Sequence, residues 1–168
     1  MKNKLVEMIK ENQNSENDEE KQDNEIPELT WLVFSLNEDF YAIEASMSKE
    51  ILRNLDIYPL PFVPSFVKGV VNRHGEPYSV VDLSLFLEKE KQETSLFIVL
   101  NLPDSKFCIQ ITDVMDFHTA PEDSVIKLEE VQDASFYNGT IDYAGKNVPI
   151  LNAAKIYEKI RVNIENFR

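Results

Sequence analysis

Short apolar runs separated by polar turns recur along the chain from residue 31 onward. The runs are 31–36 and 40–43 around a turn at 37–39, and 96–100 and 107–111 around a turn at 103–105. Two apolar runs that flank a short polar turn are typical of a β-hairpin. Strands this short and this evenly spaced favour small closed barrels over a parallel sheet. The pattern therefore predicts a mostly β protein.

A longer pattern of strand, tight turn, strand and short helix occurs at 66–87 and again at 136–157. With a shift of seventy residues, the matching pairs are Phe66 and Phe136, Gly69 and Gly139, Gly75 and Gly145, Asp82 and Asn152, and Phe86 and Ile156. The four glycines among them are all the glycines of the chain. A chain so poor in glycine keeps it where the backbone needs its freedom. We interpret the repeat as the duplication of one small β unit, in which Asp82 is expected to cap the short helix.

The segments between these units are less regular. Residues 47–57 fit either a strand or a helical turn, and residues 113–117 fit either a strand or a turn. Residues 58–64 contain three prolines, which predicts an ordered, extended crossing that packs over a neighbouring element. A short helix is expected at 157–160.

The first 29 residues differ in composition from the rest, with nine acids, four lysines and no aromatic residue. Such a segment cannot bury enough apolar surface to offset the entropy of ordering it, so disorder is expected. We therefore expect an acidic extension at 1–29, one folded domain at 30–160 and a C-terminal tail at 161–168.

The formal charge of −13 argues against a nucleic-acid binder, because that affinity comes largely from lysine and arginine. It argues equally against electrostatic attachment to anionic lipid. A single cysteine permits no internal disulfide and suits a reducing cytoplasm. No apolar run approaches the roughly 18 residues of a membrane span, so we expect a cytoplasmic protein without membrane insertion.

Motifs for catalysis or metal binding are not found in the sequence. There is no glycine-rich phosphate loop, no Cys/His metal spacing and no nucleophile elbow, so no catalytic residue, metal or cofactor is expected. Cys108 lies in an alternating apolar strand, where a buried and unreactive thiol is the ordinary expectation. His118 is expected at a strand end, and His74 directly precedes a turn glycine.

Several short motifs follow one another at fixed spacing. They are Phe34, Tyr41-Ala-Ile43, Lys49-Glu50-Ile51, Pro61, Pro64, Phe66, Gly69-Val-Val-Asn72, Gly75 and Val80-Val81-Asp82-Leu83, followed by Ile109, Ile111, Val114, Asp116, Gly139 and 150–156. This series resembles the CheW-type chemotaxis coupling proteins over about residues 31 to 160. We expect no receiver domain or kinase domain within this sequence.

The resemblance implies two intertwined SH3-like five-stranded β-barrels with short helices, forming an adaptor without catalytic activity or cofactor. Such proteins bridge the helical tip of chemoreceptors (methyl-accepting chemotaxis proteins) to the regulatory domain of a CheA-type histidine kinase. Other CheW-like domains can join them in array rings, so the expected location is the cytoplasm at membrane-associated receptor arrays. Two alternatives are a divergent paralogue that serves another receptor class or a non-motility kinase pathway, and a small enzyme using His74 and Glu50.

The resemblance also implies a set of site residues. The expected receptor-binding groove contains Ile43, Ser48, Phe97, Cys108 and Phe117, and the expected kinase-binding residues are Gly69, Val71 and Asn72, with Gly75 as a turn residue. The family usually has Asn-Leu-Arg-Gly where this chain has Asn72-Arg73-His74-Gly75. His74 thus replaces an arginine that commonly faces the acid at Glu50. Either His74 and Glu50 form a pair, or His74 points to solvent at the turn.

Overall fold

The computed structural model describes residues 26–91, 93–128 and 136–167. The strands of this part are β1 (Glu28–Leu36), β2 (Asp39–Glu44), β3 (Ser48–Arg53), β4 (Val67–Arg73), β5 (Glu76–Asp82), β6 (Leu96–Leu100), β7 (Phe107–Ile111), β8 (Asp113–Pro121), β9 (Ile126–Lys127), β10 (Tyr137–Tyr143) and β11 (Lys146–Leu151). Helix α1 (Leu83–Phe86) follows β5, and helix α2 (Ala153–Glu165) follows β11. The predicted mostly β fold is confirmed. No helix within the described ranges is long and apolar enough to cross a membrane.

The strands form two sheets, and each sheet contains strands from both halves of the chain. Sheet A has the order β8-β1-β2-β11-β10-β9, and sheet B has the order β3-β6-β7-β5-β4. The two parallel joints join β2 to β11 in sheet A and β5 to β7 in sheet B. Each sheet therefore combines the hairpin of one half with the repeat unit of the other, which interlocks the halves.

The two repeat units have the same strand register. Gly69 of β4 pairs with Val80 of β5, and seventy residues later Gly139 of β10 pairs with Ile150 of β11. In both units the register shifts directly before the glycine. A β-bulge at the same place in both copies supports the duplication predicted from the sequence.

The helices that follow the repeat units begin in the same way. The side chain of Asp82 accepts a hydrogen bond of 3.2 Å from the backbone N–H of Leu85 at the start of α1. The side chain of Asn152 accepts one of 2.9 Å from the N–H of Lys155 at the start of α2. Both contacts satisfy a helix N–H that has no partner within the helix. The predicted cap at Asp82 is confirmed.

Three apolar clusters form the core of the described residues. Cluster A lies within sheet A and contains Trp31, Val33, Ala42, Ile141, Val148 and Ile150. Cluster B lies within sheet B and contains Val71, Val80, Phe97, Val99 and Cys108. The shared cluster takes residues from both sheets and both helices, among them Leu32, Ile98 and Ile156. Because successive side chains of a strand point to opposite faces, a strand such as β6 is buried on both.

The ends of the folded part lie beyond the expected boundaries. Strand β1 begins at Glu28, and helix α2 continues to Glu165 instead of ending at 160. Residues 161–165 therefore belong to the helix and not to a tail. The first 25 residues of the acidic extension lie outside the described residues.

The structure defines the less regular segments between the repeat units. Residues 47–57 contain β3, and 113–117 belong to β8. The proline-rich crossing is ordered by two backbone hydrogen bonds between Tyr58 and Val70, at 2.8 and 2.9 Å. Its side chains pack less than expected, because Tyr58 is 62% exposed and Phe62 is 97% exposed. Backbone pairing, more than burial of these rings, therefore holds the crossing in place.

Candidate functional site

One ion pair joins the two edge strands of sheet B, β3 and β4. The guanidinium of Arg73 on β4 contacts the carboxylate of Glu50 on β3 through Nη2 and Oε2. The two side chains are 18% and 35% exposed. Arg73 reaches this place because it shares a face of β4 with Val71, which belongs to cluster B. The pair therefore closes sheet B beside its own core.

His74 does not pair with Glu50 and is exposed at the turn, as in the second of the two alternatives. The Nε2 atom of His74 lies 3.4 Å from Nη2 of Arg73, in the turn between β4 and β5. His74 has a φ of 52°, which turns the chain away from the alternation of β4. The arginine one residue earlier in the sequence takes the place opposite the acid. The residue pair considered for an enzyme is therefore not formed.

The three residues expected to bind a kinase have different surroundings. Asn72 is exposed, and its side-chain oxygen accepts a hydrogen bond of 2.9 Å from the N–H of Gly75. Gly69 and Val71 are buried. A Cβ on Gly69 would overlap the carbonyl oxygen of Tyr58, so this glycine allows the close approach of another segment. This close approach within the chain accounts for a glycine at position 69.

Three of the five residues expected in a receptor groove are buried in two different clusters. Ile43 belongs to the shared cluster, and Phe97 and Cys108 belong to cluster B. None of these three is more than 2% exposed, so they cannot line an open groove. Ser48, half-buried at the start of β3, and Phe117, 53% exposed on β8, remain accessible. The structure does not bring the five residues together.

Phe117 has a defined position at the edge of sheet A. It lies on edge strand β8, directly opposite Leu32 of β1. Residues opposite each other in an antiparallel pair share a face of the sheet, and Leu32 belongs to the shared cluster. Phe117 therefore lies on the face of sheet A that packs towards sheet B, but more than half of its side chain stays accessible.

Exposed apolar side chains occur at equivalent places in both halves. Tyr58, Leu60 and Phe62 are 62%, 43% and 97% exposed, and they precede β4. Ile126 and Leu128 are 63% and 50% exposed, and they precede β10. Both segments pass the bulge glycine of the following strand. The two strips offer apolar surface for contact with other molecules.

Cys108 is expected to be chemically protected in the folded protein. Its burial raises the pKa of the thiol to about 12. Little reactive thiolate is then present, so a thiol reagent at about pH 8 should label the native protein far more slowly than the urea-unfolded chain. The thiol in the unfolded chain has a lower pKa, near about 8.5, so it ionises at a lower pH than the thiol in the folded protein. The free energy of unfolding should fall as the pH rises above that value. Equal labelling rates in the native and unfolded states would contradict the burial.

The comparisons with known proteins agree with this architecture. The CheW-like domain family matches residues 30–161. The chain is 24% identical over 136 residues to the chemotaxis protein CheW of Treponema pallidum (strain Nichols), covering 75% of this chain and 80% of that protein. The crystal structure of the scaffolding protein TtCheW from Thermoanaerobacter tengcongensis is similar with a TM-score of 0.72 at 23% identity, covering 79% of this chain and 94% of that one.

The family match extends over most of the chain and over nearly all strands described above. The protein therefore belongs to the CheW-like domain family, and the resemblance seen in the sequence is confirmed.

Proposed function

We propose that this protein is a non-catalytic adaptor that couples chemoreceptor signalling tips to a CheA-type histidine autokinase in chemotaxis. The main support is the family match over residues 30–161, which leaves little of the described chain for another module. The names of the two relatives, a chemotaxis protein and a scaffolding protein, agree with such a role. In this proposal the adaptor works in the cytoplasm, at membrane-associated receptor arrays.

The proposed receptor contact centres on Phe117. A receptor tip is a helical hairpin, and a helix docks by placing apolar side chains against an apolar surface. Phe117 is the most exposed of the five groove residues, and it lies beside the shared cluster where the two sheets meet. Ser48 is the other accessible member of the set.

The proposed kinase contact centres on the turn between β4 and β5. Asn72 is the exposed member of the expected kinase-binding set, and its hydrogen bond to Gly75 fixes the turn. The ion pair between Arg73 and Glu50 holds the same end of β4 against β3. A turn fixed in this way offers a preorganised surface, which lowers the entropy that binding has to overcome.

Reconstitution with purified components tests the proposal. The protein should bind a chemoreceptor-tip fragment and a CheA-type regulatory domain, and it should change kinase autophosphorylation only when all three are present. If the protein binds the kinase domain but does not bind the receptor tip, the result would favour the paralogue that serves another receptor class. Failure to bind either partner would contradict the proposed function.

Replacing Phe117 by alanine should weaken binding of the receptor tip about tenfold, because a central aromatic residue often carries a large share of binding energy. Binding of the kinase regulatory domain should stay within about twofold, since Asn72 lies on the other sheet. Titration of both partners by calorimetry measures the two affinities. Ile164→Ala is the matched control, because Ile164 is also exposed but lies near the end of α2. Equal loss of both affinities would indicate disturbed folding and would contradict a separate receptor surface.

A further inference from the structure

In each sheet, one side-chain contact joins the strands at its two opposite sides. The two contacts lie at equivalent positions in the two halves of the chain. In sheet B the contact joins Glu50 of β3 to Arg73 of β4. In sheet A, His118 of edge strand β8 contacts Tyr143 at the end of β10. Arg73 and Tyr143 each lie four residues after the bulge glycine of their strand (69 to 73 and 139 to 143). The second contact therefore takes the place in the second half that the ion pair has in the first.

The other ends of the two contacts are equivalent as well. Glu50 lies eight residues before Tyr58, which pairs with β4 (50 to 58). His118 lies eight residues before Ile126, which pairs with β10 (118 to 126). In sheet B the segment at Tyr58 pairs with the first half of β4, and in sheet A the segment at Ile126 pairs with the first half of β10. The second half of each of these strands is left to face the opposite edge strand of its sheet. A side-chain pair then joins that free end to the opposite edge strand.

The contact in sheet A consists of aromatic rings. The rings of His118 and Tyr143 are 5.5 Å apart at 78°, an edge-to-face arrangement. Tyr143 also contacts Phe40 at 6.3 Å and 71°, and the ammonium of Lys146 lies 4.8 Å from the Phe40 ring centre. His118 lies opposite Trp31, a member of cluster A, so it faces the core of its own sheet.

We propose that the His118–Tyr143 contact closes sheet A across its open edges, and that His118 is a positioning residue for Phe117. The second part rests on the proposed receptor contact. Strand β8 is an edge strand whose backbone pairs only with β1 in sheet A. Neighbouring residues of a strand point to opposite faces, so anchoring the His118 ring inward fixes Phe117 on the other face. Apart from this contact, β8 is held by its backbone pairing with β1 and by Val114, which packs against the shared cluster.

Hydrogen exchange of the backbone amides tests the closure. In His118→Ala, the amides of β8 that bond to β1 should exchange roughly three- to tenfold faster, the range expected for loss of one aromatic contact. The amides of β3 should be unaffected, because β3 belongs to sheet B. His118→Phe keeps a ring and should restore wild-type exchange. Tyr143→Leu should match His118→Ala, and the double variant should exchange no faster than either. Unchanged exchange of β8 in both single variants would overturn the closure.

Binding to the receptor-tip fragment tests the positioning role separately. His118→Ala should weaken this binding by a similar roughly three- to tenfold factor, His118→Phe should restore it, and binding of the kinase regulatory domain should not change. Faster exchange of β8 with unchanged receptor binding would overturn the positioning role and leave the closure standing. If the wild-type protein does not bind the tip, the proposed function and the role of Phe117 fail together. The exchange experiment still decides the closure in that case.

Discussion

Replacing Gly69 by alanine should lower the free energy of unfolding by about 3 kcal/mol or more, among the large effects of single substitutions. A Cβ at this position would overlap the carbonyl oxygen of Tyr58 and lie 2.9 Å from Cα of Pro59. Both atoms belong to the backbone and cannot move without breaking the hydrogen bonds between Tyr58 and Val70. The φ of +139° adds strain for any residue with a side chain. Urea unfolding followed by circular dichroism measures the loss.

Two further glycines separate the possible causes. Gly75 has a φ of +83° but open space around its Cβ position, so Gly75→Ala should cost only about 1 kcal/mol. At Gly139 a Cβ would overlap the carbonyl oxygen of Ile126, without a left-handed φ. Gly139→Ala should therefore fall between the other two. If Gly69→Ala costs no more than Gly75→Ala, the close approach of the Tyr58 segment is not what requires this glycine.

Much of the fold could be predicted because it depends on local patterns. The positions of Gly69 and Gly139 indicated the duplication, and the structure places each at the same bulge in the same register. The interlocking of the two halves could not be predicted, because it depends on the parallel joints of β5 with β7 and of β2 with β11. Strands that pair so far apart in sequence leave no local signal.

The buried positions of the expected groove residues on β6 and β7 could not be predicted for a related reason. Strands β6 and β7 are buried at every position, so their side chains fill the shared cluster on one face and cluster B on the other. Without alternation of apolar and polar residues, the sequence does not indicate which face a given residue joins. Phe97 and Cys108 both lie in cluster B, whereas the family resemblance implies that they line a groove. Phe117 is different, because β8 is an exposed edge strand.

The partner of Glu50 could have been found from the sequence by strand alternation. Gly69, Val71 and Arg73 lie on one face of β4, and the first two are buried. Continuing this alternation places Arg73 over the core side of the sheet, where Glu50 lies. The family resemblance implies His74 as the partner of Glu50 instead. The turn begins after Arg73, so His74 leaves the alternation and its position is no longer set by it.

Replacing Arg73 by methionine should lower the free energy of unfolding by about 1 to 2 kcal/mol. The change keeps much of the apolar length of the side chain but leaves Glu50 facing the core side of sheet B without its cation. Loss of one partner from a fully buried pair costs about 3 to 5 kcal/mol, whereas exposed pairs are worth about 1 kcal/mol or less. At 18% and 35% exposure the pair lies between these limits and is partly screened by solvent. Urea unfolding near neutral pH measures the difference.

Two double variants show whether pairing with the acid causes the loss. Arg73→Met with Glu50→Gln removes both charges and should recover part of the stability, because no carboxylate is then left without a partner. Arg73→Leu with His74→Arg moves the arginine by one residue, to the position that the family resemblance predicted. Because the backbone at position 74 turns away from the alternation of β4, this variant should remain less stable than the wild-type protein. If Arg73→Met with Glu50→Gln is no more stable than Arg73→Met alone, the carboxylate left without its cation is not the cause of the loss.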